Sequence, residues 1–285
     1  MREIQIHLER EKYSPGDRIE GNVIVVTDDS FECNAVNLRF TATERSRVVR
    51  GSGKYKRVYV EKQTHLDQFF ELEGETVIQE GQTSYDFAII LPKDAPASFR
   101  GFYSFIRYEL EAKVEISWAK DPRAMVEFSV EVDRAVLTPV SVSDVLLEEE
   151  TRLLSVELDT DVLSPGEPFE IEVRLDSEIE FRGLRCELIH EERVSPKGRD
   201  AKRRTVLTEW YSEEFRVPRY VPVKVLMQTG DDWPRAFQSD LITCRYLLKI
   251  TLDIAWRFDK VIEIPIRYGE TDRETESFEL VGFDF

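Results

Sequence analysis

The sequence predicts an all-β protein of two tandem antiparallel β-sandwiches, and three observations predict it. Apolar and polar residues alternate with period 2 along most of the 285 residues. Helical periodicity is weak throughout, and the second half of the chain repeats the first. Alternation of this kind puts one face of each strand in a core and the other in water, as two sheets packed face to face require.

The alternation identifies the strands in order. Ile4, Ile6 and Leu8 open the series, followed by Ile19, Val23 and Val25, then Tyr85, Phe87, Ile89 and Leu91. A long run from Ile106 through Tyr108, Leu110, Ala112, Val114 and Ile116 to Trp118 keeps one parity, and Val126, Phe128, Val130 and Val132 follow it. The second half supplies Phe169, Ile171, Val173 and Leu175, then Val221, Val223, Val225 and Met227. Tyr246, Leu248, Ile250, Leu252, Ile254 and Trp256 form its long run, and Ile262, Ile264 and Ile266 close it. Ser143–Leu154 is the one stretch that could be helical, or else a linker entering a strand.

The duplication is explicit. Tyr13-Ser14-Pro15-Gly16-Asp17 is echoed by Leu163-Ser164-Pro165-Gly166-Glu167 at an offset of 150, which also aligns Ile19 with Phe169 and Leu38 with Leu188. At an offset of 138, Pro96, Phe99, Arg107-Tyr108 and Trp118 align with Pro234, Phe237, Arg245-Tyr246 and Trp256. A period this long means a duplicated domain, because solenoid repeats run about 20–50 residues. Ser-Pro-Gly-acid presets a turn: Pro fixes φ at one corner and Gly takes the positive φ after it. Pro96-x-x-Phe99 reads as a loop pinned by one buried aromatic. The expected domains are 1–138 and 139–268, joined through Thr138–Ser143, with residues 269–285 as a tail.

These motifs, in this order, resemble the arrestin fold family. The stretch from Tyr13 to Val23 (Tyr-x-Pro-Gly-Asp-x-Ile-x-Gly-x-Val) is similar to the opening of an arrestin N-terminal domain. Leu91-Pro92, Ala95-Pro96-x-Ser98-Phe99-x-Gly101 and Ile106-Arg107-Tyr108 resemble its later signature, especially in α-arrestins. The second copy is similar to the arrestin C-terminal domain and to the arrestin-like subunit of retromer. In length the chain is closer to compact bacterial and archaeal arrestin-like proteins, including sporulation-control proteins. The resemblance implies two immunoglobulin-like sandwiches and a non-catalytic adaptor for protein partners. No Pro-Pro-x-Tyr sequence is present, so the ubiquitin-ligase recruitment of α-arrestins has no counterpart here.

Composition bounds the remaining function classes. A formal net charge of −17 argues against nucleic acid as a partner. Cys33, Cys186 and Cys244 are odd in number and lack metal-like spacing; they read as small core residues of a protein in a reducing compartment. The charged N-terminus predicts no signal peptide, and no apolar run approaches the roughly 18 residues of a membrane helix. A cytoplasmic protein is expected. His7, His65 and His190 stand far apart, Gly51-Ser52-Gly53-Lys54 is too short for a phosphate loop, and no nucleophile elbow occurs. No catalytic residue, metal or cofactor is expected. The alternatives to an adaptor are a structural protein assembling through sandwich edge strands and a sandwich-fold enzyme.

Positive charge gathers in two places. Arg45, Arg47, Arg50, Lys54, Lys56 and Arg57 contain no acid between them, for a local +6. Arg193, Lys197, Arg199, Lys202, Arg203 and Arg204 stand against Asp200 alone, for a local +5, at nearly the equivalent place in the second copy. The rest of the chain therefore carries −28, the difference between −17 and +11. Both segments read as basic hairpins that could dock acidic or phosphorylated segments, or lipid headgroups, through Arg forks. Protein partners, with peripheral membrane association as a further option, are expected. The tail's Phe278, Leu280, Phe283 and Phe285 could add a strand to a sheet edge of the same chain and block a partner site.

Overall fold

A computed structural model of the chain describes residues 2–117, 120–213 and 216–271. Among these residues there are strands, turns and short 3-10 turns, and no α-helix. Two compact units result. One runs to Asp133 and takes in Val194–Ala201 and Ser239–Ile242; the other holds Arg134–Arg193, Lys202–Gln238 and the chain from Thr243.

The first unit contains β1 (Arg2–Leu8), β2 (Arg18–Thr27), β3 (Ala35–Arg50), β4 (Arg57–Glu73), β5 (Gly81–Ile90), β6 (Ser104–Glu115) and β7 (Arg123–Val130). One sheet has the order β1-β2-β5; the other runs from Lys12–Tyr13 through β7, β6 and β3 to β4. Register places Ile19 opposite Ile89, and Phe40 opposite Leu110. Ile19, Val23, Leu38, Phe40, Tyr108 and Leu110 are fully buried between the sheets. Burying each such side chain is worth about 1.5–3 kcal/mol, and Phe128 adds ring contacts to Tyr108 at 5.7 Å and Tyr13 at 5.3 Å.

The second unit contains β8 (Val142–Glu148), β9 (Thr151–Leu158), β10 (Pro168–Leu175), β11 (Gly183–Val194), β12 (Ala201–Glu213), β13 (Val223–Gln228), β14 (Ile242–Asp253) and β15 (Lys260–Tyr268). Its larger sheet runs from Val162–Leu163 through β15, β14 and β11 to β12, the same path as in the first unit. Its other sheet is β8-β9-β10-β13, one strand wider than its counterpart. The short segments that precede each Ser-Pro-Gly turn pair in parallel in both units, Tyr13 with Val130 and Leu163 with Tyr268. Gly16 and Gly166 adopt φ values of 90° and 69°, as the turn chemistry demands.

The duplicated Pro and Tyr prove to be partners. Tyr108 donates its hydroxyl proton to the Pro96 carbonyl at 2.6 Å, and Tyr246 does the same to Pro234. Phe99, expected to be the buried pin, is only half-buried and instead pairs with Ile106 in a short strand. The hydroxyl of a fully buried Tyr must find an acceptor, so it is the Tyr that fixes the loop. Tyr108→Phe should therefore cost about 1–2 kcal/mol in urea unfolding, the worth of one buried hydrogen bond with its acceptor left stranded.

Two further expectations change. Ser143–Leu154 is part of a β-hairpin whose turn holds Glu149 at a φ of 54°. The long run ending at Trp256 stops as a strand at Asp253, and Trp256 lies in a turn with its side chain fully in solvent. Cys33, Cys186 and Cys244 are free thiols buried in the two cores, where burial pushes Cys186 and Cys244 up to about 12.

Candidate docking surface

The first basic segment is the end of the β3–β4 hairpin. Ser46 and Val48 point into the core, so the strand period sends Arg45, Arg47 and Val49 to the opposite face. Gly51 and Gly53, at φ values of 74° and 54°, carry the chain through a 3-10 turn at Gly53–Tyr55 that holds Lys54. The Gly51–Lys54 stretch is thus a hairpin tip. Arg45 is half-buried, 5.9 Å from the Phe105 ring, whereas Arg47, Arg50, Lys54, Lys56 and Arg57 are exposed.

The cross-strand register juxtaposes like charges: Arg45 faces Lys62, and Arg50 faces Arg57. Among the described residues no carboxylate forms an ion pair with any of the six cations of this segment. Like charges directly opposite one another destabilise a ladder. Such a hairpin gains stability from any anion placed against it.

The second segment is built differently. Arg193 lies near the end of β11 and Arg204 on β12, and both turn to Glu191, whose side chain is fully buried. The Glu191 Oε2 accepts from Arg204 at 2.6 Å, while Oε1 accepts from Arg193 and, at 2.8 Å, from Arg245 of β14. Arg204 also forks onto both oxygens of Glu263, one at 2.8 Å. Burial alone would push the Glu191 carboxyl up, but three guanidiniums outweigh it and hold the group at about 2. Lys197 sits in the 3-10 turn Pro196–Gly198 at a φ of 53°, followed by the exposed Arg199. Lys202 and Arg203 open β12.

The two segments are therefore alike in charge and unlike in compensation. Glu191 was missed because only Asp200 lies between Arg193 and Arg204 in sequence. A strand-level signal did exist, since Glu191 and Arg193 are two apart and share a face. Arg245 and Glu263 carry no such signal, being brought in from other strands.

The remaining candidates scatter. His7 is exposed on β1, the His65 Nε2 donates to the buried Glu44 carboxylate at 2.8 Å, and His190 is buried against Tyr246. Burial lowers the pKa of His190. Among the described residues no three His, Cys, Asp or Glu side chains are grouped to hold a metal. No helix among them is long and apolar enough to cross a membrane. Phe278, Leu280, Phe283 and Phe285 lie outside the described residues.

Comparison with known proteins agrees with this architecture. Residues 2–135 match the family model described as arrestin (or S-antigen), N-terminal domain. A relative from Caenorhabditis elegans, "Arrestin domain-containing protein 17", is 26% identical over 156 residues, which is 50% of this chain and 34% of that protein. The chain thus matches about a third of the relative's length.

Proposed function

The chain is an arrestin-like protein, its residues 2–135 an arrestin N-terminal domain, and from this premise we propose that it is a non-enzymatic adaptor that docks acidic or phosphorylated segments of protein partners on the β3–β4 hairpin. An adaptor or scaffold role belongs to the family generally; the partner chemistry is the further step. One observation carries it. Six cations stand on this hairpin with no ion-paired carboxylate among the described residues, three of them (Arg45, Arg50 and Arg57) facing other cations across the ladder, in a chain whose net charge is −17. Arg forks bind carboxylate and phosphate oxygens in pairs, and the strands hold the backbone of the fork in place.

The second basic segment contributes less in this reading. Arg193 and Arg204 are committed to Glu191 and Glu263, so an incoming anion would have to compete with a buried carboxylate.

The test is fluorescence anisotropy of a multiply phosphorylated peptide against the full chain at low salt. Replacing Arg45, Arg47, Lys54 and Lys56 together by Ala should weaken binding by about tenfold or more, with the loss shrinking as salt rises. Replacing Lys202 and Arg203 by Ala should leave affinity within about twofold. Equal affinity of the hairpin variant and the parent would sink the reading.

A further inference from the structure

From the second unit we infer that His190 is an acid-sensitive latch: neutral, it holds the loop 230–238 closed on the core, and on taking up a proton it releases that loop. This goes beyond the docking of acidic segments and stands on different residues, so either can fail alone.

The duplication shows that the fold does not need a histidine here. At the offset of 150, His190 aligns with Phe40 and Glu192 with Ala42; at the offset of 138, Cys244 aligns with Ile106. The equivalence holds in space. Phe40 lies 6.3 Å from the Tyr108 ring, and His190 lies 5.4 Å from the Tyr246 ring. The second copy thus buries an imidazole, a carboxyl and a thiol where the first packs Phe, Ala and Ile.

The loop above them shows what the imidazole does. In the first unit Ser98 ties the equivalent loop to Val130, donating its N–H to the Val130 carbonyl at 2.8 Å and accepting the Val130 N–H at 2.9 Å. The residue at the same place in the second copy is Ala236, which has no hydroxyl. There the loop hangs on three rings. Tyr246 donates to the Pro234 carbonyl, Tyr268 donates to the Gly230 carbonyl at 2.6 Å, and His190 is hydrogen-bonded to the backbone of Arg235. Of these groups only the imidazole changes charge near neutral pH.

His190 is 8% exposed, and its Nε2 is buried without a hydrogen-bond partner. The bond to Arg235 therefore comes from Nδ1. A neutral ring leaves one lone pair facing the core, whereas a protonated ring places there a charged donor with nothing to accept it. An unpaired buried charge is costly enough that the ring must turn out to water instead. The Arg235 bond breaks as it does so, and the loop loses one of its three holds.

The surroundings do not stabilise the charge. Burial pushes His190 below its ordinary 6.5 and outweighs both the Arg235 carbonyl and Glu192, which favour the proton. From β14, Cys244 and Tyr246 are kept neutral by burial, which raises both. Asp231 and Asp232 act on Tyr268 at the other end of the loop, and Arg235 adds a cation to it. With the closed value lower than the open one, the latch is complete above pH 6.5 and fails as pH falls from there.

The test is amide hydrogen exchange of the full chain at about pH 7.5 and about pH 5.5, corrected for intrinsic rates, with the His190 ring followed by NMR over the same range. Amides of 230–238 should open about tenfold more readily at the lower pH, since uptake of one proton multiplies the open fraction by up to about ten per pH unit. The equivalent loop 92–99 of the first unit should not respond. H190N keeps a donor in the place of Nδ1 and cannot become charged, and H190F restores the residue of the first copy; both should abolish the response. Titration of His190 at or above 6.5 in the folded chain, or an undiminished response in H190N, would overturn the inference. So would equal opening of both loops in the parent, which would assign the effect to acid unfolding at large.

Discussion

Replacing Glu191 by Gln should destabilise the chain by about 3 kcal/mol, the low end of what stranding the partners of a buried charge costs. The carboxylate is completely buried and compensates Arg193, Arg204 and Arg245 at once. A neutral amide of the same shape keeps the volume and loses the charge. It also points NH2 donors at guanidiniums that only donate, so at least one hydrogen bond becomes a clash of donors. The three arginines keep some contact with water, between 28% and 45% exposed, which is why the low end of the range applies. Urea unfolding of parent and variant gives the difference directly.

The same group sets a pH dependence of known sign. Glu191 titrates at about 2 in the folded chain against an ordinary 4.5. A lowered value in the folded state means that its contribution is complete above about 4.5 and is lost as pH falls from there towards 2. The Glu191→Gln variant should lack that part of the acid sensitivity. Its stability deficit relative to the parent should therefore shrink on acidification through this window, and a constant deficit would contradict the assignment.

Gly21→Ala should cost about 2–3 kcal/mol by overpacking, although a single methyl group on a strand is ordinarily harmless. Gly21 lies on β2 opposite Leu8 of β1 and Phe87 of β5. A Cβ there would fall 2.2 Å from the His7 carbonyl oxygen and 2.9 Å from the Phe87 ring. The ring can move; the carbonyl cannot move without disturbing the β1–β2 ladder. The equivalent position of the second copy is Ile171, fully buried in its core, so the requirement for Gly belongs to the first unit alone. A urea midpoint equal to that of the parent would show that β1 can shift to accommodate the methyl group.

Most of the architecture was legible because strand alternation and turn chemistry are local. Ile19, Val23, Leu110 and Ile250 fall inward as their parity requires, and Gly16 and Gly166 take the positive φ their turns require. The misreadings occur where a local pattern ends without a marker. Trp256 continues the parity of β14, yet the Ile254–Asp259 closure breaks the ladder before it, and exposure replaces burial. Phe99 has the composition of a pin, but the hydroxyl that needs an acceptor belongs to Tyr108, which reaches back twelve residues to Pro96. The stretch 143–154 has mixed helix-forming residues, but it closes as the β8–β9 hairpin, which continues into β10 through Leu154, and that pairing overrides propensity.

The sequence by itself determined the duplication, the all-β class and the sign and amount of charge in each basic segment, since these depend only on residue identity and spacing. Only the tertiary structure decided which cations are neutralised. Charge pairing depends on separation across strands, and Arg245 and Glu263 reach Glu191 and Arg204 from 54 and 59 residues away. Nothing in their spacing along the chain announces that meeting. The duplicated hairpins therefore have one electrostatic text and two electrostatic outcomes, open in the first unit and closed on a buried carboxylate in the second.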